Sequence, residues 1–355
     1  MTPLPDVAFR ILPLTVLVTT AAVGAWAGPQ WSARWAAGPW LVALVLVGLP
    51  HGAADLAVLA RLRGPRSARR LFAAATLLSC GALLALVLAP RMSLAAFVMV
   101  SVWHFGVAHA RGQSPPAAGS AVAVAAVARG AVVLGVPLAV WPAETATVAD
   151  RVIAIAAGPG PLVARALVRT WGLGLLAAAV AALACEAWAS RRSPAGRRRT
   201  AATSVDLFVI AILAAATHPL LSVGIYFLCW HAWREMRPLL RVFAPRSLAP
   251  DGRPVGPASL IHGIATVHRA ALPLLLPTWA AVAAVWWFQS PDHAIDDLAI
   301  VSLAAYVIVT PAHEMILDLI GLDHLQPGGL EASWGQGSMV SPRAPRSRLP
   351  ALHNP

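Results

Sequence analysis

Long apolar runs, separated by short polar loops, dominate the chain. Runs close to the ~20 residues that a helix needs to cross hydrocarbon lie near 11–27, 39–60, 70–89, 92–110, 118–141, 171–189, 203–217, 219–240, 271–288 and 297–320. This pattern predicts an all-α, polytopic integral membrane bundle of about ten transmembrane helices, eight at the fewest. The run 203–217 is short, and at His218-Pro219 a tight turn and a kink look alike in sequence. Residues 1–321 read as a single helical domain and 322–355, rich in Pro, Ser and Gly, as a disordered cytoplasmic tail. "TATVADRVIAIAAG" and "PASLIHGIATVHRAAL", the second with His262 and His268, mix polar and apolar residues at the spacing of helices that lie on a membrane surface. The first apolar run, preceded only by Arg10 and lacking a small-residue cleavage site, reads as a retained helix and not a signal peptide.

Composition agrees: 58% of residues are hydrophobic and 12% charged, with a mean hydropathy of +0.70, which argues against a soluble domain. Charge adds sidedness. The net charge of +12 comes from arginine without any lysine, clustered in "ARLRGPRSARR", at Arg111, in "SRRSPAGRRRT" and in "RPLLRVFAPRSLAPDGR". These clusters follow the second, fourth, sixth and eighth runs, so one side of the membrane receives them all. By the positive-inside rule that side is cytoplasmic and both termini are inside, as for a multi-pass protein of the inner (plasma) membrane. Basic residues confined to such loops do not form the basic face that nucleic-acid binding needs. Cys80, Cys185 and Cys229 are far apart in apolar surroundings and read as buried thiols.

Four of the even-numbered runs contain a histidine: His51, His104, His231 and His313. All four helices would run from outside to inside, and each histidine falls about a dozen residues, ~18 Å, from the outer end. Imidazoles at one depth can converge on one point, where a metal ion would take their lone pairs and offset the cost of burial. Asp55 and Glu235 each stand four residues after a histidine, on the same helix face, and Tyr306 stands seven before His313. A carboxylate so placed can accept a ring N–H and fix the tautomer, or bind the metal itself. Trp103, Phe105, Tyr226, Phe227, Trp230 and Trp233 are placed to line an apolar cavity or to pack between helices. His109 is off the His104 face, His218 sits at a turn, and His293, His324 and His353 fall in loops or the tail.

"GLPHGAADLAVL", "SVWHFGVAHA", "HPLLSVGIYFLCWHAWRE" and, more loosely, "VTPAHEMILD" resemble the four histidine blocks of the Brp/Blh-type β-carotene 15,15'-dioxygenases of bacteria and archaea. The resemblance runs from about residue 40 to residue 320. It implies a membrane-embedded non-haem Fe(II) enzyme that takes a carotenoid from the bilayer and cleaves its central double bond with O2 to give retinal, commonly for a rhodopsin. It also implies that His51, His104 and His231 are iron ligands. Three departures stand out. Glu235 replaces the histidine that usually ends the Trp-His-Ser-x-Arg-His block, His109 stands where an acidic residue is common, and Pro311-Ala312-His313 stands in place of Pro-His. Either Glu235 or His313 then completes the metal shell, or substrate and activity have diverged. Under that reading Asp55 and Tyr306 support the site, and Trp103, Phe105, Tyr226, Phe227 and Trp230 line the substrate tunnel. The residues alone leave two other classes open: a haem-binding electron carrier, which lacks a C-x-x-C-H motif here, and a proton or metal-ion transporter using His51, Asp55 and Glu235 as a relay.

Overall fold

The computed structural model describes residues 7–111, 120–160, 163–249 and 253–320; among these it contains helices and no sheet. The expected tail 322–355 lies outside the described residues. A π turn at Val7–Ile11 leads into α1 (Leu12–Arg34), which bends at Gly28, where a φ of 82° suits a residue without Cβ. Then come α2 (Gly38–Val42), a π turn (Ala43–Val47), α3 (Gly48–Ala53) and α4 (Asp55–Leu88). The chain continues through α5 (Pro90–Arg111), α6 (Ser120–Val140), α7 (Pro142–Ala157), α8 (Arg165–Ser190) and α9 (Pro194–Ala216). After α10 (Pro219–Ile225) a third π turn (Tyr226–Ala232) leads into α11 (Trp233–Phe243), and α12 (Pro257–Gln289) and α13 (Ile295–Ile320) close the bundle.

Eight stretches of the described residues are long and apolar enough to cross a membrane. Two physical features separate that number from ten. Gly38–Leu88 counts as one stretch but breaks at Gly64, with φ 80°, and Pro65, so it contains both the 39–60 and 70–89 runs. Pro219–Phe243 carries His231, Arg234 and Glu235, which lower its hydropathy although it is helical throughout.

The surface helix expected in "PASLIHGIATVHRAAL" is not separate. It is the first half of the 33-residue α12, which Pro273 and Pro277 do not end; a membrane helix can re-satisfy the carbonyls that a proline frees. "TATVADRVIAIAAG" lies in the 16-residue α7, ~24 Å at 1.5 Å per residue. That is short of the hydrocarbon thickness, and α7 packs against α4, α5, α8 and α13. Arg197 to Arg199, read as loop, form the first turns of α9.

Close packing around α6 fixes the centre. A Cβ on Gly106 of α5 would overlap the Ala126 backbone, one on Gly130 of α6 the Val102 backbone, and one on Gly172 of α8 the Leu138–Ala139 backbone. Small residues at these crossings let the helices touch, the usual device where no hydrophobic force acts between helices. Gly130→Val is therefore expected to push α6 off α5 and to destabilise the fold by about 1–3 kcal/mol. A lower melting temperature in detergent would register it, and an unchanged one would contradict the packing.

Charges buried away from the histidine layer are paired, as hydrocarbon demands. Arg129 lies 2.6 Å from Glu186 and 3.3 Å from Thr203, and Asp206 lies 3.8 Å from His109 and 3.7 Å from Arg10. His218 separates α9 from α10: its Nδ1 accepts from the Leu220 N–H at 3.3 Å. That needs a neutral ring, and burial lowers the His218 pKa from its ordinary value.

Candidate metal centre

Two of the three π turns among the described residues lie beside or contain one of the four histidines. A π turn widens the helix and re-aims the side chains after it. In one of these two, Ala43–Val47, the Leu44 carbonyl accepts from Trp279 at 2.9 Å, and the Val47 carbonyl lies 3.0 Å from His51 Nδ1. In the other, Tyr226–Ala232, Phe227 stacks on His231 with ring centroids 5.7 Å apart. The backbone thus leaves regular α geometry where two of the four imidazoles must be pointed.

The four histidines come together. Ligand atoms of His51, His104 and His313 lie within 4.8 Å of one another, and His104 Nε2 is 2.8 Å from His231 Nε2. His51, His104 and His231 are buried and His313 is nearly so. His313 Nδ1 donates to Asp55 at 2.5 Å, His104 Nδ1 to Glu314, and His51 Nδ1 to Val47 O. A carbonyl or carboxylate can only accept, so in each neutral ring the proton is on Nδ1 and Nε2 carries a lone pair. Among the described residues, His51 Nε2 and His313 Nε2 are buried without a hydrogen-bond partner. Buried lone pairs aimed at one point, with the opposite nitrogens tied to oxygen acceptors, form the arrangement that holds a metal ion. The donor chemistry fits iron, zinc, copper or nickel.

The histidines divide two cavities. One, of about 370 Å³, is mainly apolar and lies on the N-terminal side of the four histidines along their helices; Trp40, Gly48, Phe105, Phe227, Tyr306 and Leu303 contribute to its wall. It also meets Phe72, Cys80 and Leu83 of α4, which are exposed on the outside of the bundle. The other, of about 30 Å³, lies on the C-terminal side and has Asp55, Glu235 and Glu314 in its wall. His51, His104 and His313 line both.

Residues 42–320 match the family described as beta-carotene 15,15'-dioxygenase. The chain belongs to this family. It is also 28% identical, over 338 residues, to the "Probable beta-carotene 15,15'-dioxygenase Blh" of Halobacterium salinarum (strain ATCC 700922 / JCM 11081 / NRC-1), covering 88% of this chain and 91% of that relative. No solved structure matches. The segment matched to the beta-carotene 15,15'-dioxygenase family contains all four histidines, the small cavity, and every residue of the large cavity's wall except Trp40.

Within this family member the other candidate residues fall into distinct places. Of the two residues left open to complete the shell, His313 stands among the other three histidines, whereas Glu235 lines the small cavity beside them. Asp55, four residues after His51, bonds His313 and not the ring on its own helix. Tyr306 lines the large cavity, 5.0 Å from the Phe227 ring, and its buried hydroxyl has no hydrogen-bond partner among the described residues. Gly48 makes room for both: a Cβ there would come within 2.7 Å of the Phe227 ring and the Tyr306 hydroxyl.

Of the five aromatic tunnel residues, Phe105 and Phe227 line the large cavity. Trp103 does not; one residue before His104 it is ~100° round the helix, and it is 39% exposed on the outside of the bundle. Tyr226 packs behind Phe105 at 5.3 Å and Trp230 against His109 at 5.5 Å, both buried behind the cavity wall. Sequence reasoning missed Glu314. Its signal was present: an acid beside His313 inside an apolar run.

Proposed function

We propose that this chain is a carotenoid-cleaving dioxygenase of the membrane, splitting β-carotene or a related carotenoid at its central double bond. One C=C and one O2 give two aldehydes, the retinals, so the reaction balances without an external reductant. The observation that carries this reading is the convergence of four imidazoles at the end of an apolar cavity that reaches exposed α4 residues. A carotenoid dissolved in the bilayer could enter there without crossing water, and the volume is that of sites enclosing small apolar ligands. The retinal would leave by the same route, for a rhodopsin or another acceptor, in the inner membrane with both termini cytoplasmic.

In this reading His51, His104, His231 and His313 hold Fe(II). Bound there, the iron supplies the activation of O2 that a closed-shell protein cannot provide. The chain's part is positional. Asp55, Glu314 and the Val47 carbonyl keep three of the rings in the tautomer that turns Nε2 inward. Phe105 and Phe227 hold the polyene against that point and keep water away. The unpartnered Tyr306 hydroxyl offers a donor to the oxygen of the nascent aldehyde. Two Nε2 atoms 2.8 Å apart leave no space for a porphyrin between them, which disfavours the haem reading. Co-expression in a β-carotene-producing bacterium tests the proposal: retinal should appear as β-carotene falls. Carotenoids left intact beside folded, metal-loaded protein would refute it.

A further inference from the structure

Nothing so far gives the small cavity a task. It lies on the opposite side of the histidines from the apolar cavity, toward the helix ends that carry Arg61, Arg63, Arg237 and Arg241. Its volume, about 30 Å³, has room for roughly two waters at about 10–15 Å³ each. Three carboxylates contribute to its wall: Asp55 with a side chain 6% exposed, Glu314 14% exposed, and the half-buried Glu235 beside Pro238 and Leu239. All four histidines also line it, and among the described residues His51 Nε2 and His231 Nδ1 are buried without a hydrogen-bond partner.

We infer that this cavity is the loading vestibule for the metal, a binding place for an incoming divalent cation, and that Glu235 is its capturing carboxylate. The inference rests on the reading that the histidines hold a metal. A dication that reached them through the apolar cavity would shed its water with nothing to replace it, at a cost of many kcal/mol. From the other side it passes the arginine-bearing helix ends and then meets the three carboxylates of the cavity wall, whose fixed negative charge in a narrow cleft raises the capture rate of cations. Asp55 and Glu314 are hydrogen-bonded to His313 and His104. Glu235 stands on α11 one turn past His231, beside Pro238 and Leu239 in the cavity wall, between the histidines and the helix end that carries Arg237 and Arg241. The glutamate that replaces the usual histidine of the family block would thus act before the metal is seated and not as one of its ligands.

The test is metal uptake, independent of carotenoid cleavage. Metal-free full-length protein in detergent is mixed with Co(II), whose visible absorption reports binding to nitrogen ligands, and the rate and final amplitude are recorded for parent, Glu235→Gln and Glu235→Asp. Glu235→Gln should load at least about tenfold more slowly, reach the parent amplitude, and lose much of the parent's salt sensitivity. Glu235→Asp should restore most of the rate. An unchanged rate in Glu235→Gln overturns the vestibule while leaving the histidine centre intact. A reduced final amplitude in Glu235→Gln overturns it differently, by making Glu235 a ligand. A parent that takes up no cobalt overturns the histidine centre itself, and the vestibule with it.

Discussion

His313→Ala is expected to lose bound metal and retinal formation together. Its ring stands where its Nε2 and those of His51 and His104 converge, 5.3 Å and 5.1 Å centroid to centroid from those rings. Removing it takes away a lone pair and also leaves the buried Asp55 carboxylate without its donor, so the loss has two sources, a missing ligand and an uncompensated buried acid. Product should fall by more than the 10- to 100-fold that loss of an outer partner typically costs. Metal analysis of the purified variant, with pigment chromatography of the cells that made it, reads both. Full metal content in His313→Ala, with Glu235→Ala empty instead, would exchange the two residues and make the glutamate the fourth ligand.

The second large effect concerns the carboxylates behind the rings. Asp55→Asn and Glu314→Gln keep shape and remove charge; each is expected to weaken metal affinity about 10- to 100-fold without unfolding the bundle. An amide can offer N–H as well as C=O, so the neighbouring imidazole is no longer held in one tautomer. Competition with a chelator of known strength measures the affinity, and the melting temperature serves as the control for folding. Affinity equal to the parent's in both variants would mean that the carboxylates do not set the tautomers of His313 and His104.

Much of this arrangement was legible in the sequence because helix geometry is simple. A histidine in each of four runs of one direction, at a common depth, already implies a layer, and His51, His104, His231 and His313 do meet. What sequence spacing could not supply was lateral neighbourhood. Asp55 follows His51 by four residues, yet α4 packs against α13 and the carboxylate finds His313 there. Glu314 escaped notice for a related reason. It is ~100° round the helix from His313, but α13 touches both α4 and α5, so adjacent residues serve different neighbours: His313 meets Asp55 on one and Glu314 meets His104 on the other.

The aromatic residues show the opposite error. Trp103 and Trp230, open in the sequence between lining a cavity and packing between helices, each immediately precede a site histidine, and the same ~100° step turns them away from the large cavity. The apolar runs 39–60 and 70–89 are separable in the sequence, and the helix breaks between them at Gly64-Pro65. Of the four helical stretches that carry the histidines, those with His51, His104 and His313 are apolar enough to cross a membrane, and the one with His231, Arg234 and Glu235 is the polar exception.

Iron and product measured on the same protein test the central claim most directly. Parent and His51→Ala are purified in detergent without oxygen, supplied with Fe(II), assayed for bound iron, and then given β-carotene and O2. The account predicts stoichiometric iron and two retinals per carotene consumed for the parent, and neither for His51→Ala. Retinal formed by His51→Ala at the parent rate, or a parent that binds no iron, would contradict it.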